Sequence, residues 1–338
     1  MNSLERVTAA VGFGKPDRVP VIAQILGHAA KVADIPLVNY IRNGETLAAC
    51  QLKALERYKY DAVFAATDTS VETEAVGSVL TYKDESYPFV KQYILEDKNG
   101  IENLNLPDPY KDGRMPELIK AAGLLRREVA DEVLVVGVVM GPMTVSSQLI
   151  GMEKALYMAM DHPESFERLL DFSADVSIKF GLAQIEAGAH LALVFDPSAS
   201  PAVIPPQFFR EFILSHHTRV FSELKQGGAA ANWLHIAGPV DDILSYYPEA
   251  GVEIANFDYC VDPSTALEKL PKTCLDGNIK PLSFVDAASR EIAAESDRLL
   301  ELFGSGEGFI LSSGCEIPPE SKQENVAAMV SAVRRGGA

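Results

Sequence analysis

Cysteine is scarce in this 338-residue chain: Cys50, Cys260, Cys274 and Cys315 are all there is, with no CxxC pair. That spacing excludes a disulfide-stapled scaffold and predicts reduced thiols, as expected of a cytoplasmic protein. Long apolar runs are missing as well. No stretch approaches the ~18–20 apolar residues that cross a bilayer, and the opening MNSLERVTAAVGFGKPDRVP lacks the apolar segment of a secretory leader. Basic residues are in deficit, 30 Lys and Arg against 47 Asp and Glu, a formal charge of −17. Such a surface repels nucleic acid and anionic membrane, so neither is expected as a partner. It also suits poorly a substrate carrying many carboxylates. No linker, low-complexity tract or internal repeat breaks the sequence, and residues 1–338 read as one domain.

What the chain does have is an ample hydrophobic fraction, 47%, arranged in short runs. Eight of them recur: 18–25, 61–67, 133–140, 191–196, 231–236, 253–259, 273–278 and 308–313. Each is short and mostly apolar, the pattern of parallel strands buried on both faces. Helical patterns separate them. Residues 44–58 space Leu47, Leu52 and Leu55 along one side, and Pro163 opens a long stretch to 188. Another runs from 205 to a double-glycine stop, and ESKQENVAAMVSAVRR lies near the carboxyl end. Eight alternations predict an α/β fold, a (β/α)8 TIM barrel. An open doubly wound sheet usually carries a glycine-rich phosphate turn after its first strand, and QILGHAA is not one. Residues 77–113 depart from the alternation. SVLTYKDESYPFVKQYILED reads as a hairpin and NLNLPDPYKDG as a loop, together an insertion over the barrel mouth.

Functional groups of such barrels lie at the carboxyl ends of the strands. Those ends supply Gln24 and His28, then Asp68, Glu72 and Glu74, then the segment from Met143 to Gln148. Asp196 and Ser198 follow, and after them His235, Asp258 with Cys260, Asp276 with Asn278, and Cys315 with Glu316. Three acids within seven residues, Asp68, Glu72 and Glu74, read as a site more than as a helix-start signature. His235, Cys260 and Cys315 are borderline-soft zinc donors from the fifth, sixth and eighth strands. One imidazole and two thiolates with an open fourth position would bind zinc and activate an incoming thiol. Taken singly, His235 reads equally well as a satisfied core residue and Cys260 as a small hydrophobe. Cys50 and Cys274 read as core, and His216 and His217 as structural, with at most one of the two facing inward.

The chain resembles the uroporphyrinogen decarboxylase superfamily nearly end to end. The motifs are LERVTAAVGFGKPDRVPV (4–21), GPMTVSSQLIG (141–151), FDPSASPAVIPPQFFREFILSHHTRV (195–220), LDGNIKP (275–281) and SSGCEIPPESKQENVAAMV (312–330). TDTSVETEAVG, DPSAS and the cysteine of SSGC make it similar to the corrinoid-dependent methyltransferase branch, which moves methyl groups between methylcobamide and a thiol such as coenzyme M. The resemblance implies a methyltransferase acting on a methylated corrinoid and a small acceptor, assisted by zinc. It implies catalytic roles for Asp68, Glu72, Glu74 and Gln148, and cofactor contacts from Asp196, Ser198 and Asn278. The corrinoid of that branch arrives on a separate protein. No DxHxxG corrinoid signature occurs here, so a corrinoid protein is the expected partner of a monomer or homodimer.

Three departures matter. The decarboxylases grip their polycarboxylate with arginines after the first strand, where this chain reads IAQILGHAAK; Gln148 stands at their tyrosine and Cys315 at their histidine. Asp68 does fall at their catalytic aspartate. The methyltransferase zinc motif is HxC plus a distant cysteine, and Ala237 fills the middle place. Cys260 could replace the missing thiolate, a carboxylate such as Asp258 or Glu72 could complete a harder site, or zinc could be absent, with an acceptor such as a reduced folate. The alternatives to methyl transfer are decarboxylation of a smaller substrate, with Asp68 as the acid–base group, and a non-catalytic corrinoid-binding barrel.

Overall fold

The computed structural model describes residues 1–335. Its strands are β1 (Val21–Ile22), β2 (Ala62–Ala65), β3 (Val79–Lys83), β4 (Ser86–Gln92), β5 (Leu134–Met140), β6 (Leu191–Phe195), β7 (Trp233–His235), β8 (Ile254–Asn256), β9 (Cys274–Ile279) and β10 (Phe309–Ser313). Eight of them form one parallel sheet in the order β1-β10-β9-β8-β7-β6-β5-β2. The two ends of that sheet meet: Asp61 N donates to the Val21 carbonyl at 2.8 Å, and Val21 N donates to Asp61 Oδ2 at 2.8 Å. The sheet therefore closes as a (β/α)8 barrel, as its eight apolar runs predict. All seven residues of β5 are buried, because side chains line one face and helices cover the other.

Closure rests on a buried ion cluster at the amino-terminal end of the barrel. Asp61 is fully buried and takes Arg6 Nη1 at 2.8 Å and Arg18 Nη1 at 2.9 Å. Arg6 also grips Asp17, at 2.6 Å from Nε. One carboxylate thus satisfies two guanidinium groups and caps the backbone of β1. The first helix (Ser3–Val11), which carries Arg6, is itself fixed by a capping box of Asn2 and Glu5.

The departure at 77–113 is an antiparallel hairpin, β3–β4, followed by a short 3-10 turn (Lys98–Asn103). The hairpin reaches the mouth: Tyr87 OH accepts Gly27 N at 2.7 Å and donates to the Glu316 carboxylate. Downstream, a π-type segment (Phe209–Ile213) precedes the helix Leu214–Gln226. Both His216 and His217 are buried there. They serve different faces. His217 Nε2 bonds Asp196 Oδ2 at 2.8 Å, while His216 Nε2 faces Asp171 at 3.4 Å on the neighbouring helix Pro163–Ala187.

Asp61→Ala is expected to destabilise the protein by about 3–5 kcal/mol, because the buried Arg6 guanidinium and the partly buried one of Arg18 lose their shared counter-ion. Urea denaturation checks this. A loss below about 1 kcal/mol would mean that solvent reaches the cluster and the barrel closes without it.

Candidate functional site

The segment after β2 carries the densest chemistry. Asp68 has a side chain 3% exposed. Arg114 Nη1 donates to its Oδ2 at 2.5 Å and Nη2 to its Oδ1 at 3.1 Å. Ser70 donates to the same Oδ1 from its backbone N, at 3.0 Å, and from its hydroxyl. The remaining side of Arg114 is occupied too: its Nε donates to Glu74 Oε2 at 2.6 Å, and the other Glu74 oxygen accepts Tyr82 OH. Burial alone would lower the Arg114 pKa, but the Asp68 and Glu74 carboxylates outweigh it and raise it. Asp68 and Glu74, both expected as catalytic groups, are thereby the two halves of a clamp on one cation.

Arg114 gave no motif in the sequence, yet a signal was there. It stands just before the helix Met115–Val129, where a positive charge opposes the helix dipole and supplies no capping oxygen. An arginine in that place has a tertiary partner to meet. Tyr82, on the hairpin, lies under two guanidinium groups, with its ring centre 3.9 Å from Arg42 and 5.4 Å from Arg114.

Glu72 differs from its neighbours. It is 1% exposed, its Oε1 accepts Met140 N at 2.7 Å, and its Oε2 has no partner. Burial pushes its carboxyl up to about 7, partly offset by the Met140 bond. Glu316, half-buried after β10, is likewise pushed up to about 7 by burial. Asp68, Glu72 and Glu316 line one small cavity with Met140, Val138 and Phe195. Gln148 stands beside this group: its Nε2 donates to Thr69 Oγ1 at 3.3 Å, and its backbone carbonyl accepts Thr73 Oγ1 at 2.9 Å.

The expected cofactor contacts turn inward instead. Asp196 is fully buried and accepts Thr144 N at 2.7 Å, Thr144 Oγ1 at 2.6 Å, Met143 N at 3.3 Å and His217 Nε2. It joins the end of β6 to the start of the helix Pro142–Ile150, so closely that a Cβ on Gly141 would lie 2.4 Å from its carboxylate. Ser198 Oγ pairs with Ser147 Oγ at 3.0 Å. Asn278 Nδ2 donates to the Val261 carbonyl at 2.9 Å and the Asp258 carbonyl at 3.2 Å, pinning the loop after β8. Asp196 and Asn278 position backbone, and Ser198 joins its turn to the neighbouring helix. Deeper in the barrel, Asp276 is fully buried, accepts Asn256 Nδ2 at 2.7 Å and Gln24 Nε2 at 3.3 Å, and is pushed up to about 7 by burial.

The zinc reading has one good element. His235 is 1% exposed, burial depresses its pKa to about 3, and its Nε2 has no partner, so it is a neutral imidazole with a free nitrogen. The two thiols do not join it. Cys260 is exposed in the turn beyond β8 and directs its Sγ to Asp258 Oδ1 at 3.5 Å. Desolvation and that carboxylate push it up to about 11. Burial pushes Cys315 up to about 12. Among the described residues no three His, Cys, Asp or Glu side chains converge to hold a metal ion. The residues present do not fit a zinc centre: Ala237 removes the donor nearest His235 in sequence, and Cys260 is exposed with its Sγ on Asp258 of its own loop.

Comparison with known proteins bears on the same site. The uroporphyrinogen decarboxylase (URO-D) family model matches residues 2–336. A methylcobamide:CoM methyltransferase of Methanosarcina barkeri is 30% identical over 228 residues, covering 67% of this chain and 65% of its own length. A uroporphyrinogen decarboxylase of Psychromonas ingrahamii is 27% identical over 301 residues, covering 86% of this chain and 83% of its own. A methyltransferase structure from Methanosarcina mazei superposes with a TM-score of 0.91 at 27% identity over the full length of both chains. No helix of the described residues is long and apolar enough to cross a membrane. With a family model spanning nearly every residue and a barrel that superposes from end to end, the chain belongs to the uroporphyrinogen decarboxylase (URO-D) family.

Proposed function

We propose that this protein transfers a methyl group from a methylated corrinoid, presented at the barrel mouth by a partner protein, to a small acceptor whose proton is taken by Glu72. The carrying observation is the unpartnered, buried Glu72 Oε2 beside an Arg114 with no donor to spare. A porphyrinogen with many carboxylates needs free cations, and the guanidinium at this mouth is held by Asp68 and Glu74. Decarboxylation with Asp68 as the acid–base group is disfavoured by the same geometry, since both its oxygens are occupied. Similarity to methylcobamide:CoM methyltransferases and to a methyltransferase structure along the whole chain supports the assignment.

The chemistry balances simply. The acceptor X–H gives its proton to Glu72 Oε2, and the electron pair left on X forms the new bond to the methyl carbon. The methyl leaves its donor with the old bonding pair remaining on the donor. A carboxyl near 7 is matched to this task, because it is ionised enough to accept a proton and close enough in pKa to a thiol near 8.5. Met140 N holds Oε1 and aims Oε2. Phe195, Val138 and Met140 give the pocket apolar walls that exclude water from the attacking atom. No step is routed through zinc.

Anaerobic incubation with methylcobalamin and a panel of thiol and amine acceptors should convert the donor to its demethylated spectrum. Uroporphyrinogen should release no carbon dioxide. Glu72→Gln should lower kcat about 100-fold, the usual worth of a positioned base, with KM little changed. Because Glu72 must be ionised to act, wild-type kcat should rise with pH through about 7 and the variant should lose that rise. Carbon dioxide release, or a fully active variant, would overturn the assignment.

Metal content gives a separate check. The protein purified without added metal is expected to hold well below one zinc per chain, unchanged in Cys315→Ser. One zinc per chain, lost in both His235→Ala and Cys315→Ser, would instead show that the loop of Cys260 or a carboxylate swings in to complete the site.

A further inference from the structure

The cavity beside Glu72 has a charge that bears on what can enter it. Three of its lining side chains are carboxyls, those of Asp68, Glu72 and Glu316, and no lysine, arginine or histidine lines it among the described residues. Arg114 stands behind Asp68, but it faces two carboxylates, Asp68 and Glu74, and leaves the pair with a net negative charge. The chain's formal charge of −17 adds no compensating long-range field. Acidic clusters alone are common on solvated surfaces, and this one differs by being buried and incomplete. Glu72 is 1% exposed and its Oε2 accepts nothing from the protein. A buried carboxylate oxygen without a donor is costly, and a ligand that brings a donor removes the cost. The free space is about 40 Å3, room for about three waters and so for a head group rather than a whole large ligand. Phe195, Val138 and Met140 would lie against the carbon chain that carries that head group.

We propose that this cavity selects a ligand with a cationic, hydrogen-donating head group, a protonated amine, and rejects acceptors carrying a sulfonate or carboxylate. The selection deepens the methyl-transfer reading and rests on it, naming the class of acceptor the same site takes. A protonated amine offers three N–H donors, one of which Glu72 Oε2 accepts and can take as the proton of the transfer, so the amine itself is the acceptor X–H. An anionic head group placed there meets the carboxyls of Asp68, Glu72 and Glu316 with no cation among the lining residues. Coulomb repulsion in such a partly desolvated space is several-fold stronger than in bulk water.

Three thiols of equal chain length test this: 2-aminoethanethiol, 2-mercaptoethanol and 2-mercaptoethanesulfonate, differing in a cationic, neutral or anionic end. Calorimetric titration of the whole protein at pH 8, without a methyl donor, reads affinity alone. The amino thiol is expected to bind at least about tenfold tighter than the sulfonate, the scale of one charge-assisted hydrogen bond. Glu72→Gln should erase most of that ratio while leaving the neutral thiol's affinity within about twofold, one carbonyl oxygen being retained. Should that variant fail to fold by circular dichroism, Glu316→Gln serves for the same comparison. Equal or tighter binding of the sulfonate, or no binding of any of the three, overturns the proposal. Demethylation of methylcobalamin is then measured with each thiol as a separate readout. Charge selection without demethylation would retain the head-group assignment and remove methyl transfer. Demethylation with the sulfonate preferred would do the reverse.

Discussion

The guanidinium of Arg114 ties together three parts of the molecule at the barrel mouth. It arrives from the end of the insertion, clamps Asp68 after β2 and Glu74 in the short helix Val71–Val76, and stacks on Tyr82 of the hairpin. Arginine suits this position because its planar fork meets two carboxylates at once and keeps its charge when buried, where a lysine would tend to give up its proton. The cluster resembles a buried salt bridge whose desolvation cost is offset by full hydrogen bonding on every side. Its effect on function is electrostatic as well as structural. By engaging Asp68 and Glu74, Arg114 leaves Glu72 as the acid of this segment with an unpartnered oxygen.

Two classes of carboxylate result, separated by the role of the groups around them. Asp61 and Asp196 are surrounded by arginines, backbone N–H groups or a histidine, and they hold elements together. Glu72, Glu316 and Asp276 meet neutral donors without a direct ion pair, and burial raises them to about 7. A group in the second class can exchange a proton near neutral pH. The hairpin tyrosines join the two classes. Tyr82 donates to Glu74 and Tyr87 to Glu316, so the insertion helps close the mouth whose carboxyls it contacts.

Much of the fold was legible in the sequence because burial on both faces writes itself as short continuous apolar runs. Seven of those runs contain an observed strand and the run 273–278 overlaps one, and the hairpin falls within its expected 77–113 segment. Parts of the candidate site were legible for a related reason, since strand ends of a barrel must converge. Glu72 and Asp68 were found that way, and both line the cavity. Other expectations depended on where side chains turn, which no periodicity encodes. Asp196 and Asn278 follow strands as site residues would, yet their oxygens and amides meet backbone of the next element. Cys260 sits two residues beyond Asp258 in a turn that points its thiol back at that carboxylate.

Composition, period and strand-end position are local properties, and from them the sequence by itself determined a closed eight-stranded barrel, an insertion at its mouth and an acid-rich second loop. Only the tertiary structure decided which acids are free. Arg114 lies forty-six residues from Asp68 and forty from Glu74, and its pairing with both depends on the insertion folding back across the mouth. Glu316 reaches the same cavity from the other end of the chain because closure sets β10 beside β1. Whether a carboxylate holds a cation or waits for a ligand is set by the donors that surround it in space. Those donors come from segments that the chain brings together only on closing.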